Sequence, residues 1–247
     1  MEWFFTYRYD IPDGLGWPHF GLVHLSFLIA FLLGTILISG YYKKTDEKHR
    51  KAIKVTYAWI VVMLEVVKQV LVAAMGKYEP GMLVFHLCGM SIFFIFIHTY
   101  WPNRWTAAFL YSMSIPGAVA ALLFCDWNLY PVANFFCLQS FFIHFFEMSY
   151  PILLVRSGEL KPRFHELWRS VVYLAIVVPP IYLFNKQFGT NFFFLNDTVP
   201  DSPIAFLETF MGNPGYIFGF AGLLFLVWFF MYLPFWLKHR HDSPKSA

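Results

Sequence analysis

Apolar residues gather into seven long runs separated by short polar stretches. The runs extend from Pro18 to Tyr42, Ile53 to Met75, Gly81 to Tyr100, Trp105 to Phe124, Pro131 to Val155, Trp168 to Phe188 and Pro214 to Leu237. Crossing the hydrocarbon of a bilayer as an α-helix takes about 20 mostly apolar residues. Each run is near that length. A helix also satisfies its own backbone hydrogen bonds, which lipid cannot do. The pattern predicts an all-α, polytopic bundle of seven transmembrane helices, formed by one domain over 1–247. Several runs open at proline or after Pro-Gly, which suits a first helical turn. The least regular is Trp105 to Phe124, which Pro116-Gly117 interrupts.

The charges between the runs orient the bundle. Lys43, Lys44, Lys48, Arg50, Lys51 and Lys54 follow the first run. Arg104, then Arg156, Lys161, Arg163 and Arg169, then Lys238, Arg240 and Lys245 fall in alternate connections on the same side. The opposite side holds Arg8, Lys77 and Lys186. Basic residues collect on the cytoplasmic face, so the chain is expected to run N-out and C-in. The longest external connection contains Thr190-Asn191-Phe192-Phe193-Phe194-Leu195, an aromatic segment suited to the outer interface.

Composition narrows the class further. Of the 247 residues, 58% are hydrophobic, 22% aromatic and 13% charged, and the mean hydropathy is +0.54. Soluble domains carry about 25% charged residues. The net charge of +3 is small, and no basic, aromatic-interleaved groove suggests nucleic acid. Cys88, Cys125 and Cys137 form no CxxC pair, so a structural zinc site is not indicated. Cys125 and Cys137 flank an expected external turn, where an oxidising compartment would permit a disulfide. The polar-aromatic start, with Arg8, Asp10 and Asp13, lacks the basic n-region of a cleavable signal peptide. The expected location is integral to a membrane.

Charged groups at membrane depth need partners, water or a purpose. Glu65 and Lys68 lie three apart in the second run, on one helix face. They suit either an internal ion pair or the lining of a polar cavity. His24, His86 and His144 also fall within runs, and His98 lies near a cytoplasmic end. At 1.5 Å per residue, His24, His86 and Cys88 come to one depth, roughly 10 Å below the outer helix ends. This predicts a polar layer in the outer half of the bilayer. On one helix, His86 and Cys88 would point about 200° apart. A nucleophilic Cys88 would therefore take its base from another helix, with His144 and His24 as candidates. The alternative is a cysteine that only packs.

Phe85-His86-Leu87-Cys88 resembles the Leu-His-Leu-Cys signature of the YwaF family of bacterial membrane proteins, which is related to a eukaryotic acyltransferase of ether phospholipids. His24 in Gly21-Leu22-Val23-His24-Leu25, Glu65, Gln139 and His144 in one later run, and the Thr190-Asn191 segment agree in order. Val84-Phe85 stands where that family often has proline, and Phe192 where it has tyrosine. The resemblance implies acyl transfer through a thioester on Cys88, with His144 as base and then acid. His86 and Glu65 would position or polarise, and Asn191 would close the site from outside. No metal or cofactor is called for. The implied partner is a membrane lipid substrate, a phospholipid or lipoprotein acyl chain.

Two other classes compete. A transporter or binding protein would use Glu65, Lys68, His24 and His144 to line a polar cavity, although no inverted repeat points to one. A non-catalytic helper would bind another membrane protein through its aromatic surface. The lipid, the acyl donor and the oligomeric state are not specified by the sequence.

Overall fold

A computed structural model describes residues 2–242, with side chains through residue 238. Lys245 and the side chain of Arg240 lie outside the described residues. The described chain is helical, and seven helices are long and apolar enough to cross a membrane. Helix α1 is Leu22–Lys44 and α2 is Glu47–Ala74. Helix α3 is Leu87–Tyr100 and α4 spans Arg104–Leu123. Helix α5 is Phe135–Ser157 and α6 is Trp168–Phe188. A short α7, Pro203–Met211, precedes α8, Tyr216–Asp242.

Hydropathy and helix ends report different things. The second run begins at Ile53, yet α2 starts at Glu47, because Asp46 caps it by accepting from the His49 amide at 2.9 Å. Its first turns are polar helix beyond the apolar span. At α5 the cap is Asn134, which accepts from the Phe136 and Cys137 amides. Gly158 ends that helix in the left-handed conformation at φ 85°.

The third run requires a correction. Gly81 to His86 was expected to be helix, and instead Pro80–Met82 makes a 3-10 turn and an irregular stretch follows. The helix begins only at Leu87. An apolar run shows that a segment is buried or lipid-facing, not that it is helical. Irregular backbone at this depth survives where protein covers it. Here Gln69 Nε2 donates to the Met82 carbonyl at 2.7 Å. The chain also folds back closely on its own helix: a β-carbon at residue 89 would lie 2.6 Å from the Val84 carbonyl oxygen. Only glycine fits there.

Helix α4 shows what its proline does. Leu110–Ser114 is a π-helical turn, and Pro116 follows. Proline has no amide hydrogen to give the carbonyl four residues earlier. That carbonyl, on Ser112, accepts instead from Trp228 Nε1 of α8 at 2.6 Å. Serine pairs join neighbouring helices beside it: Ser112 with Ser170 at 2.5 Å and Ser114 with Ser91 at 2.9 Å.

Helices α4 and α5 form the centre. In their most apolar stretches 56% and 61% of residues are buried, against 17–28% for the other five. Helix α5 therefore carries its polar side chains into protein, whereas the outer helices face lipid. At one end of the bundle, Glu159 accepts from Tyr42 Oη at 2.8 Å and pairs with Lys54 Nζ at 2.8 Å. Two of the basic connections thus meet at the same end.

Candidate functional site

The polar residues picked from the sequence divide into two groups. His24 is fully committed. Its Nδ1 accepts from the Phe20 amide at 2.9 Å, so the proton lies on Nε2, which donates to the Leu122 carbonyl at 2.7 Å. The ring pins the start of α1 to the end of α4. Asn191 is committed as well. Its Oδ1 accepts from the Asn196 and Asp197 amides, both at 3.0 Å, and its Nδ2 donates to the Asp197 carbonyl at 2.8 Å. It shapes the external loop rather than reaching inward.

His144 is held differently. On α5, its Nδ1 donates to the Ser140 carbonyl at 2.7 Å, one turn earlier. Carbonyls accept only, so Nδ1 carries the proton and Nε2 keeps its lone pair. Among the described residues Nε2 makes no hydrogen bond. Trp127 stacks on the ring at 5.0 Å and 12°, fixing its plane.

Cys88 sits in the first turn of α3, with His86 at the N-cap. This changes the geometry expected from the sequence. The thiol is at a helix N-terminus rather than two turns inside, and His86 lies outside the helix. The first amides of a helix have no intrahelical acceptor, and they favour negative charge nearby. The Gly89 amide lies beside the sulfur. Lys68, Glu65 and Glu147 are the charged groups within electrostatic reach of the sulfur. Lys68 and Glu65 also act on His144, and His144 acts on His86. Glu65 and His144 are buried, and Lys68, His86 and Cys88 are half-buried beside them. Among the described residues no hydrogen bond joins Cys88 to either histidine.

The layer is internally wired. Lys68 Nζ bonds Glu65 Oε2 at 2.8 Å, and Gln69 Nε2 donates to Glu65 Oε1 at 2.6 Å. Gln139 and Glu147 face inward from α5 and are buried, and among the described residues Gln139 Nε2 and Glu147 Oε1 have no hydrogen-bond partner. Glu147 was not singled out by the sequence reasoning. The signal was present: it is a carboxylate inside an apolar run, three residues after His144. Asp126, in the external turn before α5, also reaches His86 and His144 electrostatically.

Two segments pack at the end of the bundle that carries the N-terminal arm. The N-terminal arm is tied down by Asn134 Nδ2, which donates to the Trp3 carbonyl at 2.6 Å, and by the Trp17 amide donating to the Asn128 carbonyl at 2.9 Å. Its Tyr7 is pushed up to about 12 by burial and by the Glu79 charge. The second segment is the aromatic loop. Asn185 accepts from Thr190 Oγ1 and the Phe192 amide, and Tyr216 Oη donates to the Phe194 carbonyl at 2.7 Å. Phe193 and Phe194 have φ of 58° and 54°, a conformation that bulky residues rarely adopt. It turns Phe192 onto Phe85 and His86, at 5.5 and 5.0 Å. The three cysteines are free thiols. Burial pushes Cys125 up to about 12, which keeps that thiol protonated and inert. Among the described residues no cluster of three or more His, Cys, Asp or Glu is placed to hold a metal ion.

No curated protein and no solved structure matches the chain. The TMEM164 family model matches residues 15–232. That span takes in all seven membrane helices through Tyr232 and every residue of the polar layer. With most of its length matched, the chain belongs to the TMEM164 family of membrane proteins.

Proposed function

We propose that the protein is a membrane-embedded acyltransferase that moves acyl chains between lipids through a thioester on Cys88, in a bacterial plasma membrane. The observation that carries this reading is the tautomer of His144. Its Nδ1 proton is fixed on the Ser140 carbonyl, which leaves the Nε2 lone pair to act as a base, and Cys88 stands in the first turn of α3. The resemblance of the His86-Leu87-Cys88 stretch to the YwaF family supports the same assignment.

The chemistry balances with these groups alone. The Cys88 sulfur attacks the ester carbonyl of a phospholipid while His144 Nε2 takes the thiol proton. The oxyanion that forms is met by the free amides of the first turn of α3. The carbon–oxygen ester bond then breaks, and the departing lysolipid oxygen takes the proton from His144. An acceptor hydroxyl next gives its proton to Nε2 and attacks the thioester. The sulfur leaves and recovers the proton. Lys68 and Glu65 set the charge around the sulfur, and His86 and Asn191 hold the aromatic cover in place.

The test is transfer of a labelled acyl chain between lipids by purified protein in vesicles. Cys88→Ala is expected to abolish it, and His144→Asn to slow it by about 10²- to 10⁴-fold. Undiminished transfer by Cys88→Ala would overturn the mechanism. The unpartnered oxygen of Glu147 favours a second reading, a polar cavity that binds or transports a solute. Solute uptake driven by a proton gradient and indifferent to Cys88 would establish that one instead.

A further inference from the structure

A cavity of about 370 Å³ lies between α2 and α3 and opens sideways. Its size falls within the roughly 300–1,000 Å³ of small-ligand sites. Along α2 it runs from Glu65 past Val62 to Trp59, and along α3 from Gly89 past Phe93 to Phe96. Trp59 and Phe93 are 47% and 54% exposed on the face that lipid would cover. Glu65 is its one charged lining residue, and that carboxylate is already paired with Lys68 and Gln69. Ordered water needs two to four polar partners, which such walls do not offer. The medium outside is acyl chain.

The two ends differ in chemistry. The upper end is Gly89, the residue after Cys88, with Glu65 opposite and Lys68 one turn further out on α2. The lower end is an aromatic stop. Trp59 Nε1 donates to Tyr100 Oη at 3.0 Å, and its ring meets Phe96 edge-on at 5.5 Å and 86°. Phe96 in turn rests on Tyr100 at 5.0 Å. Glu65 to Trp59 and Gly89 to Phe96 both measure roughly 10 Å along their helices. The groove therefore has the paired Glu65 and Lys68 at its upper end, apolar walls along its length and an aromatic cluster at its lower end. A phospholipid of the outer leaflet has the same sequence of properties, with an anionic headgroup above its tails.

We infer that this groove is the acyl-chain subsite, and that Trp59 with Phe96 sets which chain lengths are accepted. The inference rests on the acyl-transfer reading and names the part of the lipid that this site selects. The ester carbonyl lies at the Gly89–Cys88 turn, the phosphate near Lys68, and the chain runs down between α2 and α3 to the aromatic stop.

The test uses the Cys88→Ala protein in nanodiscs with a phosphatidylcholine whose acyl chain ends in a diazirine. Irradiation and peptide mapping should place adducts on Trp59, Phe96 and Ile97. They should exceed by about fivefold those on Ile176 and Leu183, which are lipid-facing residues of α6 outside the groove. Filling the groove with Val62→Trp, or separately Val66→Phe, should remove the excess. Even labelling of α3 and α6, or crosslinks between two copies through this face, would overturn the inference. In the active protein, Trp59→Ala should relieve discrimination against chains two carbons longer by about tenfold. An unchanged chain-length profile would overturn the role of the stop. The two claims separate cleanly. Enriched labelling in a protein without transfer activity upholds the chain site and rejects the reaction. Transfer activity with even labelling does the reverse.

Discussion

At the scale of single residues, the two buried histidines predict different phenotypes. His24→Ala leaves the Phe20 amide and the Leu122 carbonyl without partners. Each stranded polar group costs about 1–3 kcal/mol, so the variant should show a lower melting temperature in detergent. A melting curve that matches the parent would contradict this role. His144→Asn should lose transfer while melting close to the parent. Thiol chemistry gives a third readout. With its thiol pushed up to about 12, Cys125 should resist maleimide at pH 7 in the folded protein and react once the protein is denatured. Part of this layer was legible in the sequence. Glu65, Lys68, His86, Cys88 and His144 stand out as polar residues within apolar runs, and the structure pairs Glu65 with Lys68. Periodicity could not show which histidine is free. That depends on partners such as Ser140 and Leu122, whose carbonyls carry no sequence signal. Glu147 needed only the reasoning already applied to Glu65.

At the scale of elements, the helices were legible and their ends were not. Caps decide ends, and the residues that cap α2 and α5, Asp46 and Asn134, are common polar residues. The third helix is the instructive case. Its apolar run continues through Gly81 to His86, so hydropathy could not see that the backbone leaves the helix there. The break matters because it brings Cys88 to a helix N-terminus. The contact between connections is open to a pH test. Burial would raise the Glu159 carboxyl, but hydrogen bonds from Lys54, Tyr42 and Ser157 outweigh it and hold the carboxyl below its usual 4.5. A carboxyl depressed in the folded state stabilises the fold above about pH 4.5, and the contribution is lost as the pH falls through the folded value. The parent should therefore lose thermal stability on acidification in that window. Glu159→Gln should melt lower at neutral pH by on the order of 1–2 kcal/mol and show a smaller acid-dependent fall. An equal acid response in both proteins would remove Glu159 from the account.

At the scale of the whole molecule, membrane sidedness determines which leaflet the polar layer meets. The basic connections predict a cytoplasmic position for 45–54 and an external one for the arm and the aromatic loop. In intact cells, a membrane-impermeant thiol reagent should label Asp13→Cys and Asp201→Cys but not Lys48→Cys. The reverse pattern would move the site to the inner leaflet. On the proposed reading a lipid would enter from the side, at the groove between α2 and α3. The most direct test of acyl transfer through Cys88 is to look for the covalent intermediate. Purified protein would be mixed with vesicles of a phospholipid carrying a labelled acyl chain, quenched in acid and mapped by peptide mass spectrometry. The account predicts one acyl group on the peptide containing Cys88, released by neutral hydroxylamine, absent from Cys88→Ala, and accumulating more slowly in His144→Asn. Acyl transfer proceeding at full rate with no adduct on Cys88, or with the adduct on another residue, would contradict it.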